Sequence, residues 1–115
     1  MWVNMMSCDA DYTCDYVSQD WGEATHFGRF TNQSAGTVNL IDGTTFGTGV
    51  ITAANGDQLF WRRNGDMHIV ATGGTGRFQN AGGVHDLEIN IVGESYDGPT
   101  LILKATYTGK GTIIY

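Results

Sequence analysis

The sequence predicts an all-β fold, a single antiparallel barrel of about eight strands, and three observations lead to this prediction. Glycine is abundant at 17 residues, whereas proline occurs once. Threonine occupies fourteen further positions, and both glycine and β-branched residues are unfavourable in helix interiors. Turn signals also recur every eight to twelve residues, a spacing typical of sandwiches and barrels.

The turn signals divide the chain into strand-like runs. Asn-Gly and Asp-Gly pairs readily supply the positive φ values that tight hairpin turns need. The signals are Asp42-Gly43, Asn55-Gly56-Asp57, Asn64-Gly65-Asp66, Gly73-Gly74, Gly82-Gly83, Asp97-Gly98-Pro99 and Gly109. The predicted strands are 12–18, 23–32, 35–41, 46–54, 57–63, 67–72, 84–92, 100–107 and 111–115.

Alternation within these runs predicts which side chains face the core. One-sided apolar faces fit an antiparallel sheet that curls around its interior. The predicted inward residues include Ala24, His26, Gly28 and Phe30 in one run, Leu87, Ile89 and Ile91 in another, and Leu101, Leu103, Ala105 and Tyr107 in a third.

A chain of 115 residues is expected to form one domain. Five acidic residues precede the first basic residue, Arg29. We therefore interpret residues 1–22 as an acidic, solvated N-terminal segment, with a first strand as the alternative, and residues 23–115 as the barrel domain.

The charge balance argues against several classes of partner. The formal net charge is −6 with only six basic residues, whereas nucleic-acid binding needs clustered Lys and Arg. No stretch approaches the roughly 18 apolar residues of a membrane helix, and the first residues lack the pattern of a signal peptide. The sequence leaves the cellular location open.

The two cysteines, Cys8 and Cys14, lie six residues apart. They would close a small disulfide loop in an oxidising compartment, but we favour two ordinary thiols. Two cysteines without further ligands at recognisable spacing do not make a zinc site. The sequence therefore predicts no metal and no cofactor.

One segment is more specific than the rest. Residues 73–82 resemble the G-G-[ST]-G-x-F-x-x-[AV]-x-G signature of the allene oxide cyclase and dirigent barrels. Residues 24–31, 51–60 and 109–115 resemble bacterial proteins of that barrel type that have no assigned function. We interpret the motif as structural, because glycines allow sharp turns and the phenylalanine anchors the core. Its positions here are Gly73, Gly74, Gly76, Phe78 and Gly82.

The resemblance implies an eight-stranded barrel whose interior or mouth holds a small hydrophobic molecule. In the plant branches of this family, the barrel steers a reactive intermediate into one stereochemical product. Related barrels often form dimers or trimers, and a secreted location fits the family. The resemblance assigns no catalytic residue to this chain.

Several residues are candidates for lining a ligand cavity. A histidine on an inward face is suited to acid–base chemistry, although such residues more often make core hydrogen bonds. Aromatic residues with a polar group suit both a cavity and simple packing. Arg62 and Arg63 are expected to face opposite sides of the sheet. An inward Arg63 would then contact an acid such as Asp57 or Glu88. The cavity candidates are His26, Phe30, Trp61, Arg63, Glu88 and Tyr107.

Three functions remain open at this point. The first is a barrel that binds a small hydrophobic or aromatic metabolite in its cavity. The second is an enzyme of cyclase or isomerase type that orders a reactive intermediate by shape. The third is a packed structural or interaction domain without a ligand, since small barrels are either filled by side chains or hold one ligand.

Overall fold

The computed structural model describes residues 2–25, 27–65 and 68–111, without side chains at positions 2, 68, 85–89 and 107–110. Within these ranges the chain forms eight β-strands and one 3-10 turn. The strands are β1 (Trp2–Cys8), β2 (Thr13–Ala24), β3 (Gly28–Asn39), β4 (Thr45–Thr52), β5 (Gln58–Asn64), β6 (His68–Gly74), β7 (Val84–Asp97) and β8 (Thr100–Gly111), and the 3-10 turn is Gly76–Phe78.

The eight strands form one antiparallel sheet in chain order. Each strand pairs with the next, and β8 also pairs with β1 from Trp2↔Ala105 to Met6↔Leu101. The prediction of an all-β, antiparallel fold is thereby confirmed. No helix in the described ranges is long and apolar enough to cross a membrane.

The N-terminal part of the sheet differs from the sequence prediction. Residues 2–8 form β1, and β2 continues through the region interpreted as solvated. The predicted strand 23–32 is wrong, because β2 ends at Ala24 and β3 begins at Gly28. Gly28 has a φ of 63°, a value that glycine adopts without steric cost, so the chain reverses here instead of continuing straight.

Alternation along β2 explains why an acidic segment folds into the sheet. Cys14, Tyr16, Ser18 and Asp20 are all buried, while the residues between them are exposed. The acids therefore project mainly from the outer face of the strand, where water solvates them. The alternate inward positions supply side chains to the interior.

Two groups of buried side chains form the core. The first surrounds the glycine-rich turn, and the second lies between β1, β2 and β8. The first contains Phe27, Ala53, Leu59, Trp61, Ala71, Phe78 and Ala81, with Phe30 packed against it, and the second contains Met6, Cys14, Tyr16 and Leu103. Phe78 is fully buried, as expected for the anchor of the glycine motif.

Close packing across the strands depends on two interior glycines. A Cβ atom on Gly49 would collide with the indole ring of Trp61, and one on Gly47 would collide with the hydroxyl of Tyr16. The large side chains of β2 and β5 therefore occupy the space above β4. The interior next to β4 is filled by side chains in this region.

Cys8 and Cys14 form a disulfide, contrary to the interpretation as two free thiols. The two residues face each other in the β1–β2 register, so strand pairing brings the sulfur atoms together. Cys14 is fully buried. The bridge therefore joins the end of β1 to a core position.

Candidate functional site

A polar cluster of three residues, Asp20, Asn32 and Trp61, lies in the interior. Asn32 donates a hydrogen bond of 2.9 Å from Nδ2 to Oδ2 of Asp20. Trp61 donates one of 2.8 Å from Nε1 to Oδ1 of Asn32. All three side chains are buried. The amide of Asn32 thus links the carboxylate to the indole, and its orientation is fixed by both partners.

Tyr16 and Arg63 extend this polar interior. Burial raises the pKa of the Tyr16 phenol, because desolvation disfavours the phenolate. The positive charge of Arg63 opposes this rise in pKa, and the negative charge of Asp20 adds a smaller upward contribution. Tyr16 therefore interacts electrostatically with both charged groups, and burial favours the neutral phenol.

A row of polar residues crosses the sheet beside the cluster. Asn4, Ser18 and Ser34 occupy successive partner positions on β1, β2 and β3. The hydroxyls of Ser18 and Ser34 share a hydrogen bond. Asn4 is 3% exposed, and its Oδ1 atom has no hydrogen-bond partner among the described residues.

On the outer face of the same strands lies an open groove of about 770 Å³, which we call the transverse groove because it runs across the strands. Its floor follows the register Ser18↔Ser34↔Gly49↔Trp61. Ser18, Gly49 and Trp61 are buried, so the floor is formed largely by backbone. Because side chains alternate along a strand, the residues on either side of each floor position project outward as walls.

The walls form two rows with different chemistry. One row joins Val3, Gln19, Gln33, Val50 and Phe60, and the other joins Met5, Val17, Ala35, Thr48 and Arg62. The walls are thus largely apolar near β1 and β2. At the β5 end an aromatic ring and a cation lie two residues apart on one face of the strand. Met5, Val17 and Phe60 are 45%, 50% and 37% exposed, which is high for large apolar side chains.

The structure describes the side chains of three of the six predicted cavity residues, Phe30, Trp61 and Arg63. Trp61 joins the polar cluster and lies under the groove, and Arg63 is half-buried on the opposite side of β5 from Arg62. Phe30 packs against the buried cluster that contains Trp61 and Phe78. His26 lies outside the described residues, and only the strand positions of Glu88 and Tyr107, not their side chains, are described.

Asp57, one of the two acids expected to meet Arg63, pairs with Arg77. Oδ2 of Asp57 lies 3.8 Å from Nε of Arg77, and the same carboxylate accepts a hydrogen bond from the Arg77 backbone amide. Asp57 therefore fastens the glycine-rich turn to the start of β5. The guanidinium carbon of Arg77 also lies 4.7 Å from the centre of the Phe78 ring. Asp57 therefore stabilises the glycine-rich motif through Arg77.

The sequence analysis did not predict Asp20 and Asn32, the two residues that form the polar cluster with Trp61. Asp20 and Asn32 were hidden because neither belongs to a motif, and Asp20 lay in the segment interpreted as solvated. A period-two pattern was present in β2, where Cys14, Tyr16, Ser18 and Asp20 alternate with exposed residues. No group of three His, Cys, Asp or Glu among the described residues is placed to hold a metal ion.

Comparisons with protein-family models, with curated proteins and with solved structures found no match to this chain.

Proposed function

We propose that this chain is a small-molecule binding domain whose site is the transverse groove, and that it binds an apolar or aromatic molecule there. The observation that carries the proposal is the combination of volume and exposed apolar walls. A groove of about 770 Å³ falls within the usual range for small-molecule sites, about 300–1,000 Å³. Water contact with Met5, Val17 and Phe60 is unfavourable, and a ligand that covers them gains that free energy.

This proposal places the ligand outside the interior cavity expected from the sequence. Trp61 and Tyr16 occupy the space above Gly49 and Gly47, where an interior ligand would lie. The groove uses the opposite face of the same strands. The proposed ligand class is the one expected from the sequence, a small hydrophobic or aromatic molecule, because the apolar groove walls suit it.

We also propose that the sheet closes into a barrel of the allene oxide cyclase and dirigent type. Pairing of β8 with β1 supports a barrel, and the buried Phe78 in the glycine-rich motif supports the family resemblance. The Cys8–Cys14 disulfide favours an oxidising compartment for the protein.

An enzymatic role has less support from the geometry. The ionisable groups Asp20 and Tyr16 belong to the interior side of β2, away from the groove. A cyclase or isomerase would need its acid or base within hydrogen-bonding reach of the ligand. In the part of the chain that the structure describes, Arg62 is the one ionisable side chain of the groove walls.

The test uses N-phenyl-1-naphthylamine, an uncharged aromatic probe that fluoresces in apolar surroundings. The wild-type chain is expected to bind it, and Val17→Asp is expected to abolish binding by placing a carboxylate in the apolar wall. Val92→Asp is the matched control, because Val92 is 56% exposed and lies outside the groove. Absence of probe binding to the wild type, or equal loss in both variants, would contradict the proposal.

Native mass spectrometry of the same samples separates a ligand site from a self-association surface. A retained small molecule that is lost on denaturation and absent from Val17→Asp supports the proposal. A dimer that Val17→Asp dissociates, without probe binding to the wild type, would identify the groove as an interface between two copies and overturn it.

A further inference from the structure

We infer that the transverse groove selects apolar molecules that carry a single negative charge, and that Arg62 receives this charge. The inference rests on the proposed function and adds a ligand class to it.

The groove differs in charge from the rest of the chain. The protein has twelve acidic residues and a formal net charge of −6. Among the described residues that line the groove there is no aspartate or glutamate, and Arg62 is the one charged residue. A local cation in a groove whose described lining contains no carboxylate attracts an anion, whereas the acidic remainder of the surface repels one.

Arg62 is also available to a ligand. Its side chain is exposed, and within the described part of the chain no carboxylate lies within ion-pair distance of it. Arg29 and Arg77, in contrast, lie 4.0 Å from Glu23 and 3.8 Å from Asp57. A guanidinium offers donors in a fixed planar arrangement that matches a carboxylate or a sulfonate.

The position of Arg62 in the groove gives the ligand an orientation. Arg62 ends one wall, where it pairs with Thr48, and Phe60 ends the other. Met5 and Val17 lie at the β1–β2 end of the Arg62 wall. An amphipathic anion would therefore place its charged group at β5 and its apolar body across β4, β3 and β2.

Exposure of Arg62 sets the size of the expected effect. Exposed ion pairs contribute little in water, because both charges are well solvated when apart. We therefore expect the charge to improve affinity by about two- to fivefold at low salt. Apolar burial supplies the remainder, and it is shared by charged and uncharged ligands.

The experiment compares two probes that differ by one charged group. 1-Anilinonaphthalene-8-sulfonate is the anion, and N-phenyl-1-naphthylamine is its uncharged counterpart. The wild-type chain is expected to bind the anion more tightly. Arg62→Gln should weaken binding of the anion more than binding of the uncharged probe and so remove that preference, and Arg62→Lys should keep part of it. Raising the salt concentration should weaken anion binding alone, since ions screen exposed charges.

Arg29→Gln is the matched control, because Arg29 is exposed and lies outside the groove. Equal loss of anion binding in Arg29→Gln and Arg62→Gln would overturn the inference in favour of a general charge effect. Equal loss of both probes in Arg62→Gln would also overturn it, because the arginine would then act through its aliphatic stem. Binding of both probes with equal affinity would reject the charge preference and leave the proposed function intact. Binding of neither probe would reject the proposed function itself.

Discussion

The indole of Trp61 on β5 reaches over β4 and donates a hydrogen bond of 2.8 Å to Asn32 on β3. The strand between them contributes Gly49 at the crossing point, in register with Trp61. This relationship joins three strands through one side chain. It also holds the floor of the transverse groove, because Gly49 and Trp61 are both floor residues.

Asn32→Ala is expected to destabilise the fold by about 2–4 kcal/mol, since it removes the acceptor of the indole N–H and the donor to a buried carboxylate. The free energy of unfolding, measured in urea, checks this value. Gln33→Ala is the control, because Gln33 is exposed on the same strand and should change stability by less than about 0.5 kcal/mol. Equal effects in the two variants would show that the hydrogen bonds contribute nothing specific.

Gly49→Ala is expected to cost about 1–3 kcal/mol, because the added methyl group collides with the Trp61 ring and forces repacking. Gly82→Ala serves as the comparison. A Cβ atom at Gly82 meets nothing within 4 Å, so that variant should have nearly wild-type stability. Thermal unfolding of both variants measures the difference, and a Gly49→Ala protein as stable as wild type would refute the packing argument.

Reduction of the Cys8–Cys14 disulfide is expected to lower the free energy of unfolding by about 2 kcal/mol, the chain-entropy value for a short loop. Urea unfolding with and without reductant measures the change. A double variant, Cys8→Ala with Cys14→Ala, should unfold identically under both conditions. Sensitivity of the double variant to reductant would show that the effect does not come from the disulfide.

Alkaline pH should destabilise the protein through Tyr16. Its pKa is raised in the folded state by burial, so above the unfolded-state pKa near 10 the unfolded chain loses its proton first. The unfolded state then binds fewer protons than the native state, and stability falls as the pH rises above about 10. Below that pH the Tyr16 contribution is constant.

The measurement is the free energy of unfolding of wild type and Tyr16→Phe between pH 7 and pH 11. The difference between the two proteins should be constant up to about pH 9.5 and should then change in favour of the variant. A difference that stays flat throughout the range would show that Tyr16 titrates alike in both states.

The sequence predicted the strand-rich architecture and several hairpins because local signals determine them. The β5–β6 hairpin follows from its Asn64-Gly65 turn, where Gly65 has a φ of 87°. Burial of Leu103 and Ala105 on one face of β8 agrees with simple alternation. The glycine motif likewise indicated Phe78 as an anchor, and that side chain is fully buried.

The functional features depended on pairing between distant strands, which no local pattern encodes. Asp20, Asn32 and Trp61 are 12 and 29 residues apart in the chain, and only the register of β2 to β5 brings them together. The Cys8–Cys14 bridge forms because β1 pairs with β2. The acidic residues of the N-terminal segment had favoured a solvated segment over a strand there. The groove likewise exists only where outward residues of neighbouring strands stand side by side. The sequence by itself determined that this chain forms antiparallel strands, because alternation and turn chemistry act locally. The tertiary structure alone decided which of its side chains form a polar interior and which form an apolar groove, because cross-strand register sets those contacts.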